Sequence, residues 1–334
     1  MITASPGGGP RWLLADWLEL EALCSLSASA SIHTINADSL QDADVEPEEI
    51  DEEDLRHEQR ISRLTTEVEN RRKTLGDAYP FALTADGGTL ERGPGTGVGA
   101  SVYLFCLLAS HGRSGGFLWD TDIITMKDVP DLLQACATWS AAGYEQGPGY
   151  AVGLDPAPGP FIAKLATIYG AFGDGTPVGA IPAGAPAQVK DDGIDVIAWK
   201  AMPDQRAPAD YLMAQVASGR NWTEKTVKKA IDRFHATWFT KTPARRAKPA
   251  MMIPFCIDAG VDDDEDAEQE ALAMQWRRLI AEFGQLFYRY LLPVYAARGL
   301  KLADEGTHVD MADWLPRVET FVRDTVGRLQ AGSS

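Results

Sequence analysis

Two polar side chains placed in apolar surroundings are the feature of this chain that points most directly to chemistry. Asp195 stands in the run Ile194 to Trp199, and Gln215 stands in a second apolar run, Tyr211 to Val216. A buried carboxylate and a buried amide are costly unless they are partnered, and a divalent cation with its bound waters is one such partner. Lys225 follows shortly after, and its ammonium could orient a water for attack. These residue types predict metal-assisted hydrolysis.

Two short strands are expected to hold these side chains. The run Ile194 to Trp199 is rich in β-branched and aromatic residues, and Tyr211 to Val216 is also apolar. The segment Pro203 to Asp210 between them is made of turn-forming residues, so we expect an antiparallel β-hairpin. Because side chains alternate between the two faces of a strand, the hairpin can present Asp195 and Gln215 from adjacent strands.

The residues around these strands resemble a known family. Gly193-Ile194-Asp195, a hydrophobic strand and then Gln215-Val216 are similar to the core of the PD-(D/E)xK nuclease superfamily, in its Mrr-type restriction endonuclease branch, where G-[IV]-D precedes Q-x-K. The resemblance extends from about Phe161 to Asp232. It implies an α/β fold with a restriction-endonuclease-like mixed sheet flanked by N-terminal and C-terminal helical regions. It also implies that Asp195 and Gln215 are catalytic and bind Mg²⁺, with Mn²⁺ as a substitute.

The sequence departs from the family pattern at one position. The residue two after Gln215 is Ala217, where the family has the lysine that orients the attacking water. Lys225, expected at the start of the following helix, could bring an ammonium to the same place, and the unusual connection Ser218 to Trp222 favours this interpretation. The alternative is that the lysine is lost and the domain only binds nucleic acid.

A further acidic ligand is harder to assign from the sequence. Family members often supply a glutamate from the helix before the first core strand, but the helix expected at Phe161 to Phe172 has no acidic residue. Asp191 and Asp192 precede the motif and are reserve candidates, although two acids before a glycine are more often turn residues.

A basic amphipathic helix is predicted to follow the hairpin. Asn221 and Glu224 have the spacing of a capping box, so the helix should begin near Trp222. Its apolar positions follow the three-and-four spacing of one buried face. These positions are Val227, Ala230, Ile231, Phe234 and Trp238.

The other face of this helix is expected to bind nucleic acid. Arg220 to Lys248 contains nine Lys or Arg residues and two acids, in a chain whose net charge is −17. Such a local excess of positive charge with an aromatic residue suits a phosphate backbone. The residues assigned to this contact are Arg220, Trp222, Lys229 and Arg233. The alternative is an ordinary solvated helix face, which is the commoner role of charge runs.

Composition limits the class of protein. A sequence pI near 4.7 argues against indiscriminate binding of polyanions. The longest clean apolar run, Val102 to Ala109, is too short to cross a membrane, and the N-terminus lacks signal-peptide features, so we expect a cytoplasmic protein with no membrane partner. The four cysteines have no zinc-ligand spacing and are expected to be reduced core residues.

Three consecutive regions are expected: a helical N-terminal region over 1–150, the nuclease core over 151–260 and C-terminal helices over 261–334. A Gly/Pro-rich segment, Gly143 to Pro160, marks the first boundary. Apolar spacing predicts one long helix from Leu272 to Tyr290 and a last helix from Met311 to Leu329. These wide apolar faces could also serve a homo-oligomer or a partner protein.

The expected function is therefore a Mg²⁺-dependent DNA endonuclease, and the resemblance implies a role in prokaryotic defence against phage or foreign DNA, with a possible defence-system partner. The main alternative is a catalytically silent nucleic-acid-binding or scaffold subunit of a defence complex. A structural helical adaptor is the remaining alternative, and it would leave the acid and amide of the hairpin without a role.

Overall fold

A computed structural model describes residues 10–36, 47–93, 97–119, 123–153, 161–185, 189, 191–204, 206–208, 210–257 and 265–332. The chain forms two compact units. The first contains Met1–Thr125, Cys256–Gln275 and Glu319–Ser334, and the second contains Met126–Phe255 and Trp276–Val318. The sequence predicted three consecutive regions, whereas each of these two units combines segments that are distant in the sequence.

The first unit combines helices with a small sheet. Its N-terminal part contains α1 (Arg11–Cys24), β1 (Ser29–Ser31), α2 (Pro47–Leu75), β2 (Phe81–Leu83), β3 (Thr89–Arg92) and α3 (Val98–His111). The three strands form an antiparallel sheet in the order β1-β3-β2. A predominantly helical region was predicted, and the sheet was missed because strands of three or four residues carry almost no alternating pattern.

A buried ionic cluster joins the helices of the first unit. Arg71 on α2 is fully buried, and it donates to Asp16 Oδ1 at 2.7 Å, to Glu19 Oε1 at 2.8 Å and to Glu67 Oε1 at 2.9 Å. His111 at the end of α3 lies 2.8 Å from the other oxygen of Asp16. Buried charges are tolerated when each has such partners, so one guanidinium holds three carboxylates inside this core.

The second unit contains a mixed five-stranded sheet. Its strands are β4 (Gly149–Ala151), β6 (Val196–Trp199), β7 (Tyr211–Val216), β9 (Lys248–Met252) and β10 (Gln285–Phe287), in the order β10-β9-β7-β6-β4. Strands β4, β6 and β7 are antiparallel neighbours, whereas β7, β9 and β10 run parallel. The predicted hairpin of β6 and β7 is confirmed, and the chain as a whole is a mixed α/β protein.

Helices cover this sheet and complete the unit. They are α4 (Val129–Glu145), α5 (Phe161–Phe172), α6 (Val227–Trp238) and α8 (Leu292–Asp304), and a separate two-stranded sheet pairs β5 (Thr176–Pro177) with β8 (Phe239–Lys241). Helix α4 contacts β4, β6 and β7, and it packs closely on α8. Gly143 and Gly299 permit this approach, because a Cβ at either position would overlap the backbone of the other helix.

Helix α6 has the buried face that its sequence predicts. Its five stripe residues are all buried: Val227, Ala230, Ile231, Phe234 and Trp238. Helix α6 joins the parallel strands β7 and β9 and packs on both. The apolar pattern of α6 therefore identified the face that packs on the sheet.

Three elements differ from the sequence expectation. The long helix predicted to reach Tyr290 ends earlier, as α7 (Glu265–Phe283), and its predicted continuation is the edge strand β10. Strand β4 lies inside the Gly/Pro-rich segment that was expected to mark a boundary between regions, and α8 was not predicted. The last helix, α9 (Leu315–Gly332), agrees with the expectation. No helix in the described part of the chain has the length and apolar character needed to span a membrane.

Candidate functional site

Asp195 and Gln215 lie side by side at one end of the β6–β7 pair. The neighbouring residues Val196 and Ala214 are register partners. The backbone N–H of Asp195 donates to Ala214 O at 2.9 Å, and its Oδ2 accepts from Val216 N at 2.7 Å. The carboxylate of Asp195 is therefore held against the strand that carries Gln215.

The carboxylate of Asp195 is partly buried. Burial raises its pKa from the ordinary value of 3.8 to about 6, although the N–H of Val216 and the positive charge of Lys225 act in the opposite direction. The negative charge of Asp191 adds to the rise in pKa. Such a carboxyl group gains more from a nearby cation than an exposed one does, because little water competes for its charge.

Gln215 contributes an unsatisfied oxygen. The residue is only 8% exposed, and its Nε2 donates to Gly193 O at 2.7 Å, which fixes the amide. Its Oε1 is buried and accepts no hydrogen bond from any residue that the structure describes. A buried acceptor without a donor calls for an ion or a water. An oxygen of this kind beside a carboxylate fits Mg²⁺, which prefers oxygen ligands.

Lys225 reaches the same end of the strand pair. Its Nζ donates to Val216 O at 2.9 Å, and it is close enough to Asp195 to lower the pKa of that carboxyl. Ala217, at the position where the family has its lysine, is buried. The structure thus brings Asp195, Gln215 and Lys225 together, with the ammonium arriving from a later segment of the chain.

The segment that carries Lys225 differs from the predicted helix start. Residues Arg220–Glu224 form a 3-10 helix, Lys225 follows in an extended conformation, and α6 begins at Val227. The predicted capping box is wrong, since no side chain caps either helix. Lys225 therefore lies between the two helices, and its side chain contacts the end of β7.

The two reserve acids point in different directions. Asp192 accepts at Oδ2 from Trp238 Nε1 at 2.9 Å, and its Oδ1 lies 3.4 Å from Arg233 Nη2, so it is directed toward α6. Asp191 accepts at Oδ1 from Gly193 N at 2.7 Å and acts on the pKa of Asp195. Asp191 therefore belongs to the site, and Asp192 belongs to the contact with α6.

Gln134 is a site residue that the sequence did not identify. It lies on α4, is buried, and donates from Nε2 to Asp195 O at 2.8 Å. The helix before the first strand of the sheet is α4 and not α5, because β4 precedes α5. A lone glutamine between the apolar residues Leu133 and Ala135 was the available signal. Its amide positions the backbone of Asp195.

The predicted nucleic-acid residues divide into two groups. Trp222 is half-buried and packs on Phe283, with ring centroids 5.3 Å apart, and Arg220 lies over the ring of Phe255 at 5.7 Å. These two side chains make protein contacts, contrary to the idea of a continuous open face. Lys229 is exposed on α6.

Protein groups nearby already bind several of the positive charges on the basic face. Arg233 keeps 59% of its side chain exposed but pairs with Asp192. Lys228 donates to the carbonyl of Ala281, and Arg246 pairs with Asp232 at 2.7 Å. Of the predicted nucleic-acid residues on α6, Lys229 and Arg233 therefore remain accessible to a phosphate backbone.

Comparisons with protein-family models, with curated proteins and with solved structures found no match. Among the described residues there is also no group of three or more His, Cys, Asp or Glu side chains arranged to hold a metal ion. The arrangement of Asp195, Gln215 and Lys225 is therefore the feature from which a function can be inferred.

Proposed function

We propose that this protein is a Mg²⁺-dependent DNA endonuclease with a restriction-endonuclease-like core. The observation that carries the proposal is the placement of a partly buried carboxylate, an unsatisfied amide oxygen and an ammonium at one end of β6 and β7. These are the groups that hydrolysis of a phosphodiester needs: ligands for a cation and a positive charge beside the attacked phosphate. A role in defence against phage or foreign DNA follows only from the resemblance in sequence.

Each residue has a distinct role in the proposed reaction. Asp195 and Gln215 would hold Mg²⁺, which supplies charge stabilisation at the phosphate and a more acidic water. Lys225 would orient the attacking water or neutralise the negative charge that develops on the phosphate. Val216 fixes both partners, since its N–H holds Asp195 and its carbonyl holds Lys225.

The surroundings preorganise this arrangement. Gln134 holds the backbone of Asp195 from α4, and Gly193 O holds the amide of Gln215. Side chains that are fixed before substrate binds lose little entropy in the transition state. Lys229 and Arg233 would bind the phosphate backbone beside the site without reading its sequence.

The proposal is tested with supercoiled plasmid DNA, linear DNA and RNA incubated with the protein in Mg²⁺, in Mn²⁺ and in EDTA. We expect the protein to nick or cut DNA only with the metal, and Asp195→Ala to abolish cleavage. Full cleavage by Asp195→Ala would exclude Asp195 as a metal ligand. Cleavage of RNA alone would change the substrate class.

A second candidate function is a catalytically silent subunit that binds nucleic acid or acts as a scaffold in a defence complex. It is favoured by Ala217, which is buried where the family has its catalytic lysine. Both functions predict DNA binding. They are separated by cleavage under conditions in which binding is saturated, since a silent subunit would bind DNA and leave it intact in both metals.

A further inference from the structure

Asp191 has a carboxylate whose position is fixed by its own turn. Its Oδ1 accepts from Gly193 N at 2.7 Å, and its backbone O accepts from Ile194 N at 3.0 Å. This turn immediately precedes Asp195, so the two acids are separated by three residues. The second oxygen of Asp191, Oδ2, takes no part in the hydrogen bonds of this turn.

Gly153 leaves space for that second oxygen. A Cβ on Gly153 would lie 2.9 Å from Asp191 Oδ2, closer than side-chain contacts allow. The backbone of Gly153 is not in the left-handed region, so its conformation does not require glycine. The preceding residue, Val152, donates its N–H to Asp195 O at 2.8 Å. The Asp191 carboxylate therefore lies at the strand edge that also binds Asp195.

Gln215 provides an independent indication of a ligand. Its Oε1 is buried without a donor in the part of the chain that the structure describes, and its Nε2 is bound to Gly193 O. Gly193 thus contacts both side chains, since its N–H holds Asp191 and its carbonyl holds Gln215. An acid and an amide are therefore fixed by one glycine, two residues before Asp195 in the sequence.

We propose that Asp191 is the second carboxylate of a divalent-cation site that it forms with Asp195 and Gln215. The inference rests on the proposed function, because it shares Asp195 and Gln215 with it. Two carboxylates balance the charge of a divalent ion, which one carboxylate and an amide do not. A set made only of oxygens selects Mg²⁺ or Mn²⁺ over softer metals.

Calorimetric titration of the full chain with Mn²⁺ and with Mg²⁺ tests this inference without DNA. Asp191→Asn keeps the acceptor for Gly193 N but removes the charge, and we expect it to weaken Mn²⁺ binding about tenfold or more. The matched control is Asp192→Asn, which changes the adjacent acid that faces Trp238, and we expect its affinity to stay within about twofold of wild type.

A second variant tests the position of the carboxylate and not its charge. Gly153→Ala places a methyl group against Asp191 Oδ2 and should also weaken Mn²⁺ binding, while its thermal melting without metal shows whether the fold is kept. Wild-type affinity in both Asp191→Asn and Gly153→Ala would overturn the inference.

The inference and the proposed function fail in different ways. If Asp195→Asn loses Mn²⁺ binding while Asp191→Asn keeps it, Asp191 is not a ligand and the proposed function stands. If wild type binds neither ion, both are wrong. If Asp191→Asn and Asp195→Asn each lose binding while wild type fails to cut DNA or RNA, the cation site stands and the endonuclease proposal is wrong.

Discussion

Lys225 and Asp195 are held by opposite sides of one residue, Val216. The carbonyl of Val216 accepts from Lys225 Nζ at 2.9 Å, and its N–H donates to Asp195 Oδ2 at 2.7 Å. The ammonium is therefore placed beside the carboxylate by a main-chain contact, although the two residues are distant in sequence. This relationship makes Lys225 a candidate for the role that Ala217 cannot fill.

Lys225→Met is expected to remove DNA cleavage while DNA affinity falls only slightly. Lys225 is bound to Val216 O and is not one of the two α6 cations open to a phosphate backbone, so it contributes little to affinity, but its position beside the attacked phosphate decides the rate. Cleavage rates at saturating protein and equilibrium binding measure the two effects separately. The matched control is Lys228→Met, which removes a nearby cation directed at Ala281. Equal cleavage by wild type and Lys225→Met would exclude the catalytic role of Lys225.

Asp195→Asn is expected to stabilise the fold at high pH. Because the pKa of Asp195 is raised to about 6, the folded state binds its proton more tightly than the unfolded chain. The stability that this proton provides is complete below about pH 4 and is lost as the pH rises through 6. As the pH rises through 6, the free energy of unfolding of the wild type should therefore fall by up to about 3 kcal/mol, and that of Asp195→Asn should not.

Urea unfolding without metal at pH 4 and at pH 8 measures this difference. The variant should be the more stable protein at pH 8, and the advantage should shrink toward pH 4. If Asp195→Asn is destabilised equally at pH 4 and at pH 8, the carboxylate is a structural group and its burial does not destabilise the fold.

Lys229→Glu is expected to weaken DNA binding for every sequence tested. Lys229 is exposed on α6, and each lost phosphate contact should lower the slope of log affinity against log salt by about one. Fluorescence anisotropy at several salt concentrations measures this slope. Lys301→Glu, an exposed lysine on α8, is the matched charge control. Identical slopes for the two variants would mean that Lys229 lies on a merely solvated face.

Arg71→Met is expected to destabilise the first unit by about 3 to 5 kcal/mol, because it removes the buried cation that Asp16, Glu19 and Glu67 share. Arg72→Met, at the exposed neighbouring position, should change stability by less than about 0.5 kcal/mol. Urea unfolding of both variants tests the difference. A small loss in Arg71→Met would mean that the three acids become protonated or find other partners.

Local patterns in the sequence determined several parts of this protein. The spacing of apolar residues identified the buried face of α6, from Val227 to Trp238, because a helix repeats every 3.6 residues whatever surrounds it. Two short apolar runs and a turn-rich connection identified the hairpin of β6 and β7. The polar exceptions within that hairpin, Asp195 and Gln215, were visible for the same reason.

Only the tertiary structure decided which other side chains meet at that hairpin. Strands β4 and β10 have three residues each, and such short segments become strands through their partners and not through their own sequence. Without β4 in place, α4 could not be recognised as the helix beside Asp195, and Gln134 was missed. The position of Lys225 depended in the same way on its hydrogen bond to Val216 O. Because every residue has a backbone carbonyl, no sequence pattern could identify this partner.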